Sequence, residues 1–143
     1  MAQKVGLNPI GDGGQNYVFM RYAEILLIKS EALNELNRAD EALIPLNKIR
    51  KRARESYLFD DKLNGFGTIP ANLLSNVTTT NQSNLRDAIR HERRVELGLE
   101  FHRYYDILRY GKAYSESVLQ NFNYEKNRYF PIPQSEVDTN SKI

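Results

Sequence analysis

The chain has 143 residues, with 20 Lys and Arg against 18 Asp and Glu, and no cysteine. That length suits one domain with a core of its own, and the near balance of charge argues against a nucleic acid or an anionic membrane as partner. Without thiols, a disulfide framework, a thiolate metal site and a cysteine nucleophile are all excluded.

Residues 1–20 lack the apolar stretch of a signal peptide, and the longest strictly aliphatic run, Ile25 to Ile28, is far too short to span a bilayer. The sequence therefore reads as a soluble globular piece. Residues 1–16 hold Gly6, Pro9, Gly11, Gly13 and Gly14 and read as a leading loop. The Gly11-Asp12-Gly13-Gly14 cluster lacks the Lys-Ser/Thr of a phosphate loop and follows no clear strand, so it reads as a plain turn.

Helical spacing predicts a first helix from about Arg21 to Leu36. Tyr22, Ile25, Leu26, Leu33 and Leu36 mark its apolar stripe, and Ala23, Leu27 and Ile28 widen it. Glu24, Glu31 and Glu35 are assigned to the other side. Asp40 and Glu41 open a second helix with acids at the positive end of its dipole. It carries Ala42, Leu43, Leu46 and Ile49 and finishes in Lys48, Arg50, Lys51, Arg52 and Arg54, cations suited to a helix C-terminus. Pro45, inside it, is expected to kink the helix or shift its start.

Residues 57–84 are turn and loop chemistry, with a short helical turn expected near Pro70 to Ser75. Tyr57, Phe59 and Phe66 either pack this loop down or line a sugar-binding surface. Asn76-Val77-Thr78 and Asn81-Gln82-Ser83 fit the glycosylation pattern by chance composition. A third helix is predicted after Asn84 as N-cap, with Asp87 in its first turn. It breaks near Gly98 to His102, and a fourth helix carries Tyr104, Tyr105, Leu108 and Arg109 to a C-cap at Gly111. Residues 115–128 read as polar and irregular. Phe130-Pro131-Ile132-Pro133 reads as an extended strap over the core, with one last turn at Gln134 to Val137.

The densest charge lies between Leu85 and Gly111. Glu92 and Glu96 fall one helical turn apart near a face shared by Leu85, Ala88, Ile89, Val95 and Leu99. A zinc-protease reading fails because His91-Glu92 is followed by Val95, not histidine, at the fifth position. A glycosidase reading fails because carboxylates among arginines stay ionised and lose the raised pKa of a general acid. Six arginines against five acids from Arg86 to Arg109 leave too little positive charge for phosphate tracking. The reading is a structural ion-pair network of Arg90, Glu92, Arg93, Glu96, Arg103 and Arg109, with no catalytic residue, metal or cofactor.

Two helical hairpins in succession, with Ser30 and Ala42 near the small positions of a tetratricopeptide-like unit, suggest a short helical array. Five motifs in order then carry a family resemblance. They are Arg21-Tyr22-Ala23-Glu24-Ile25-Leu26-Leu27 with Glu31-Ala32-Leu33-Asn34; Leu46-Asn47-Lys48-Ile49-Arg50 with Arg52-Ala53; the run Leu85 to Leu97; the run His102 to Gly111; and Phe130 to Val137. Together they resemble the C-terminal part of the SusD/RagB family, surface lipoproteins of glycan-uptake systems in certain Gram-negative bacteria.

The resemblance implies an all-α fold of tetratricopeptide-like hairpins with long loops and an extended C-terminal strap. It implies a single C-terminal domain over 1–143, divided into a leading loop (1–16), a first hairpin (17–55), a loop (56–84), a second hairpin (85–114), and a strap and tail (115–143). It further implies capture of oligosaccharides at the outer membrane and their transfer to a TonB-dependent, SusC-like transporter, with membrane attachment through a lipid anchor that this chain does not carry. A free-standing tetratricopeptide-like scaffold that binds a protein or peptide in a helical groove is the alternative.

Overall fold

The computed structural model describes residues 18–71 and 73–140. The leading loop, including its glycine cluster, and the last three residues lie outside them. Among the described residues the only regular secondary structure is helical. The helices are α1 (Tyr22–Glu35), α2 (Ala39–Phe59), α3 (Gln82–Glu96), α4 (Arg103–Arg109), α5 (Lys112–Val118), α6 (Tyr124–Asn127) and α7 (Gln134–Thr139). The fold is all-α. The chain forms two compact units that meet in sequence between Arg93 and Arg94, inside α3.

In the first unit α1 and α2 form an antiparallel hairpin. The Ser30 hydroxyl donates to the Ala42 carbonyl at 2.8 Å, and both residues are fully buried. Two small side chains at the crossing let the backbones approach until a hydroxyl can bridge them. Asn37 turns the corner with φ +58°, a left-handed conformation that asparagine tolerates better than most residues. Leu27, Leu46, Ile49, Leu85 and Ile89 fill the core, each contributing roughly 1.5–3 kcal/mol by leaving water.

The buried face of α1 is not the predicted stripe. Tyr22, Ile25 and Leu36 are exposed, Tyr22 at 63%, while Ala23, Glu24, Leu27, Ser30, Leu33 and Asn34 are buried. Apolar residues of this helix spread well beyond one stripe, with Tyr22, Ile25, Leu27 and Ile28 at different angles, so hydropathy does not choose its inner face. That choice follows the polar residues that find partners inside, Glu24 among them. α2 starts ahead of Pro45 and runs through it to Phe59. Pro45 cannot donate to the carbonyl one turn back, yet the helix start is not displaced.

α3 begins three residues earlier than predicted. The Asn81 side chain accepts from the Asn84 amide at 3.0 Å, so Asn81 rather than Asn84 serves as N-cap. Leu85, Ile89, Glu92 and Arg93 form its buried face, whereas Val95 and Leu99 are exposed. A turn near Pro70 is present, with the Leu73 amide donating to the Pro70 carbonyl at 3.2 Å.

The second unit contains α4 to α7. Gly111 (φ +92°, ψ 172°) is the N-cap of α5, not simply the end of α4, so residues 115–118 are helical where irregular chain was predicted. The Ser115 hydroxyl faces the carbonyls of Ile107 (2.8 Å) and Gly111 (2.9 Å), tying α5 to α4. Asn123 caps α6 by accepting from the Lys126 amide. Tyr124 Oη donates to the Leu108 carbonyl at 3.3 Å. The segment before α7 is extended at Pro133, but Phe130 and Ile132 are exposed rather than laid over a core. The last turn extends to Thr139.

Candidate functional site

Glu92 and Arg93 are consecutive on α3, about 100° apart around the helix, and each turns to a different partner helix. Arg50 on α2 donates to Glu92, with both side chains largely buried. Arg93 donates to Glu24 on α1 at 3.1 Å, and both side chains are 7% exposed. At the opposite end of α3, Arg86 forks onto Glu35 of α1 at 2.6 and 2.7 Å. That hydrogen bond holds the Glu35 carboxyl below its ordinary pKa, and the charges of Arg86 and Arg90 add to the effect. Asn34 and Gln82 exchange side-chain to backbone bonds of 3.0 and 2.9 Å. These contacts run α1 and α3 antiparallel, with charge at both ends and Leu85 and Ile89 in the buried stretch between.

Arg50 has a second task. Its Nε donates to the Ser75 carbonyl at 2.8 Å. One turn either side, Asn47 and Arg54 do the same kind of work. Asn47 exchanges two bonds with the backbone of Val77, at 2.9 and 2.8 Å. Arg54 reaches the Leu74 carbonyl at 2.5 Å and the Asn76 side chain at 2.9 Å. Residues 47, 50 and 54 share one helix face, and from it they hold the segment 74–77, which begins at the turn residue Leu74. The basic end of α2 therefore contains arginines satisfied by carbonyls, as well as charges that face solvent.

The remaining predicted network residues are Arg90, Glu96, Arg103 and Arg109. Arg90 and Glu96 are half-buried on α3. Arg103 donates to Tyr114 Oη at 3.4 Å and lies over its ring at 5.9 Å. Arg109 pairs with Asp106 one turn back at 3.2 Å and lies 4.6 Å over the Tyr110 ring. Sequence reasoning missed Glu24, Arg50 and the Glu35–Arg86 pair. The available signal was position: Glu24 and Arg50 each lie next to or one turn from core residues, where an unpaired charge would be costly. His91 is exposed.

Of the aromatic candidates, Tyr57 and Phe59 close α2 rather than lying in a loop. Tyr57 is half-buried, Phe59 is 81% exposed and Phe66 is exposed. The Gly67 amide donates to the Tyr57 carbonyl at 2.7 Å, folding the following turns back onto the end of α2. A larger aromatic surface went unpredicted. In the second unit Phe101, Tyr104, Tyr105, Tyr129, Phe130 and Pro131 line an open depression of about 450 Å³. Tyr104 stacks edge-on to Tyr105 and tilts against Phe130, both at 5.8 Å between ring centres. Tyr105 is 63% exposed although its neighbour Ile107 is buried. In the first unit a smaller trough of about 310 Å³ runs past Tyr22, Leu26 and Lys48, whose ammonium sits 5.1 Å over the Tyr22 ring.

The sequence profile of the SusD family matches residues 8–143. The chain belongs to the SusD family. It is 35% identical over 140 residues to SusD-like protein P2 of Formosa agariphila, covering 92% of this chain and 25% of that protein. It is 40% identical over 110 residues to SusD-like protein P38 of the same organism, covering 77% of this chain and 20% of that one. With SusD-like protein P25, also from Formosa agariphila, the identity is 29% over 143 residues, covering 93% and 24%. The chain thus spans about a quarter or less of the length of the curated relatives it matches. No solved structure matches it. Membership of the SusD family agrees with the all-α architecture.

Proposed function

We propose that this chain is the C-terminal portion of a SusD-like surface lipoprotein that captures oligosaccharides and passes them to a TonB-dependent, SusC-like transporter in the outer membrane. The observation that carries this reading is the family match along residues 8–143. In it, the α1–α2 hairpin acts as a tetratricopeptide-like unit, and the pairs Arg50–Glu92 and Glu24–Arg93 hold α3 against it. The glutamates of this segment are structural: Glu92 is buried and engaged by Arg50, which suits cement and not proton transfer. No helix among the described residues is long and apolar enough to cross a membrane, and attachment is assigned to a lipid anchor outside these residues. Tyr57, Phe59 and Phe66 are the aromatic side chains assigned to sugar stacking, and of these Phe59 and Phe66 are exposed.

The test is an oligosaccharide panel titrated calorimetrically against the full-length protein, with affinity capture of the transporter from outer membranes. Binding of at least one oligosaccharide together with co-purification of a TonB-dependent transporter is expected. Neither being seen would overturn the reading. Phe59→Ala and Phe66→Ala are expected to weaken glycan binding without changing unfolding, and unchanged affinity in both would remove these rings from the ligand surface.

A further inference from the structure

The second unit is short of a core. From residue 94 to 140 the buried side chains among the described residues are Leu97, Asp106, Ile107 and Ser115, so only two of them are aliphatic. Its large apolar side chains point outward instead. Leu99 is 99% exposed and Phe101 is 83% exposed, and Tyr105, Tyr129, Phe130 and Ile132 are exposed as well. The backbone adds a second anomaly at the same place. Leu99 and Phe101 have φ of +66° and +63°, a left-handed conformation that bulky L side chains rarely adopt. Strain of this kind persists where surrounding contacts over-determine it, yet inside this unit neither side chain is covered. Phe101 also lines an aromatic depression of about 450 Å³.

We infer that the face formed by Leu99, Phe101, Tyr105, Tyr129 and Phe130 is an internal docking surface, covered in the full-length protein by an apolar segment of the same polypeptide lying outside these residues. The inference rests on the reading of this chain as part of a longer SusD-like protein. Two observations choose the occupant. Most of the length of each matched relative lies outside the matched segment, so polypeptide to cover the face is available in cis. What the unit lacks is apolar burial, and a hydroxyl-rich oligosaccharide supplies little of that, whereas aliphatic side chains entering an aromatic depression supply it directly. Leu99 and Ile132, exposed aliphatic side chains two and one positions in sequence from the lining residues Phe101 and Pro131, suit an apolar protein segment better than a sugar.

The test uses the ligand-free full-length protein and exploits the absence of cysteine from this chain. Leu99→Cys and Tyr105→Cys are labelled with a thiol reagent, with Ser117→Cys on the exposed side of α5 as reference, any cysteine elsewhere being replaced. Both variants are expected to react about tenfold or more slowly than Ser117→Cys, and to reach its rate in urea. Hydroxyl-radical footprinting of the unsubstituted protein gives the same readout at Phe101, Tyr129 and Phe130 should either variant fail to fold. Labelling as fast as at Ser117→Cys overturns the inference. Protection that appears only with added oligosaccharide, or only as protein concentration rises, also overturns it, in favour of a ligand or a second copy. If the mature protein has no more polypeptide than these residues, its mass shows it, and the parent reading fails separately.

Discussion

Arg93 and Glu24 are separated by 69 positions in sequence and meet at 3.1 Å, with both side chains sealed from water. A buried pair of this kind contributes little compared with an apolar pair of similar shape, but breaking it leaves a stranded charge. Glu24→Ala is therefore expected to destabilise the first unit by about 3–5 kcal/mol. The double substitution Glu24→Leu with Arg93→Met should recover most of that loss. Urea unfolding of the single and double variants checks both. A single variant that unfolds like the parent would contradict the pairing.

Glu92 carries the same logic toward α2. Glu92→Ala leaves Arg50 without its carboxylate and is expected to cost roughly 3 kcal/mol. Arg50→Ala should cost at least as much, because it also releases the Ser75 carbonyl. Calorimetric unfolding of the two variants side by side makes the comparison, and Arg50→Ala proving the milder of the two would refute the dual role.

Asn47 fastens Val77 through two bonds. Asn47→Ala is expected to cost about 1–3 kcal/mol, since neither backbone group regains a partner within the hairpin. Local release is the sharper signal. The Val77 amide should exchange with deuterium faster in the variant, while amides in the middle of α1 change less. Uniform acceleration across the unit would mean that the contact acts globally instead.

The Glu35–Arg86 fork sets a pH dependence of known sign. Its hydrogen bond and the positive charges beside it lower the folded-state pKa of Glu35. The pair's contribution is therefore complete above the unfolded pKa of about 4.3 and is lost as pH falls through the lower folded value. Because both side chains are partly exposed, the contribution is at most about 1 kcal/mol after screening. The stability gap between the parent and Glu35→Gln should be largest near neutral pH and shrink below pH about 4. Thermal unfolding from pH 7 to pH 3 measures it, and a gap that grows with acid would reverse the assignment.

Gly111 adopts φ +92° and ψ 172°, with nothing near the position a Cβ would take. The obstacle to substitution is the backbone itself. Gly111→Ala is expected to cost about 1–3 kcal/mol. Gly111→Asn should fare no better, since asparagine tolerates the left-handed helical region and not this one. Unfolding of the full-length variants tests both, and full rescue by asparagine would refute the argument.

The helices were legible where a long, strongly spaced apolar pattern specifies them, as in α1, α2 and α3. Their ends shifted where two residues of the same type compete, as with Asn81 and Asn84 for the cap of α3. The inward face of α1 was not legible, because Tyr22, Ile25, Leu27 and Ile28 surround the helix with similar hydropathy. Glu24, Ser30 and Asn34 settle that face, and their partners lie on α2, α3 and the N-terminus of α3, beyond any local window. α5 escaped notice because a short polar helix carries no periodic signal, and only Gly111 marks its start. The charge count correctly described Leu85 to Gly111 as nearly neutral. It did not show that Glu92 answers to Arg50, since counting within a segment cannot reveal partners outside it. Tyr104 and Tyr105 keep helical spacing whether or not anything covers them, so spacing says nothing about what they face.

The opposite charges of Glu92 and Arg93, set side by side on α3, also act as a lock on alignment. An apolar seam of leucine and isoleucine tolerates a helix that slides or turns by one residue, because the neighbouring side chain is often just as greasy. Here such a slip would bring a cation to Arg50 or an anion to Glu24, reversing the sign of a buried contact. A change that hydrophobic packing would absorb is converted into electrostatic repulsion where solvent screening is weakest. The three helices of the first unit can therefore close in one arrangement and are penalised in the neighbouring ones.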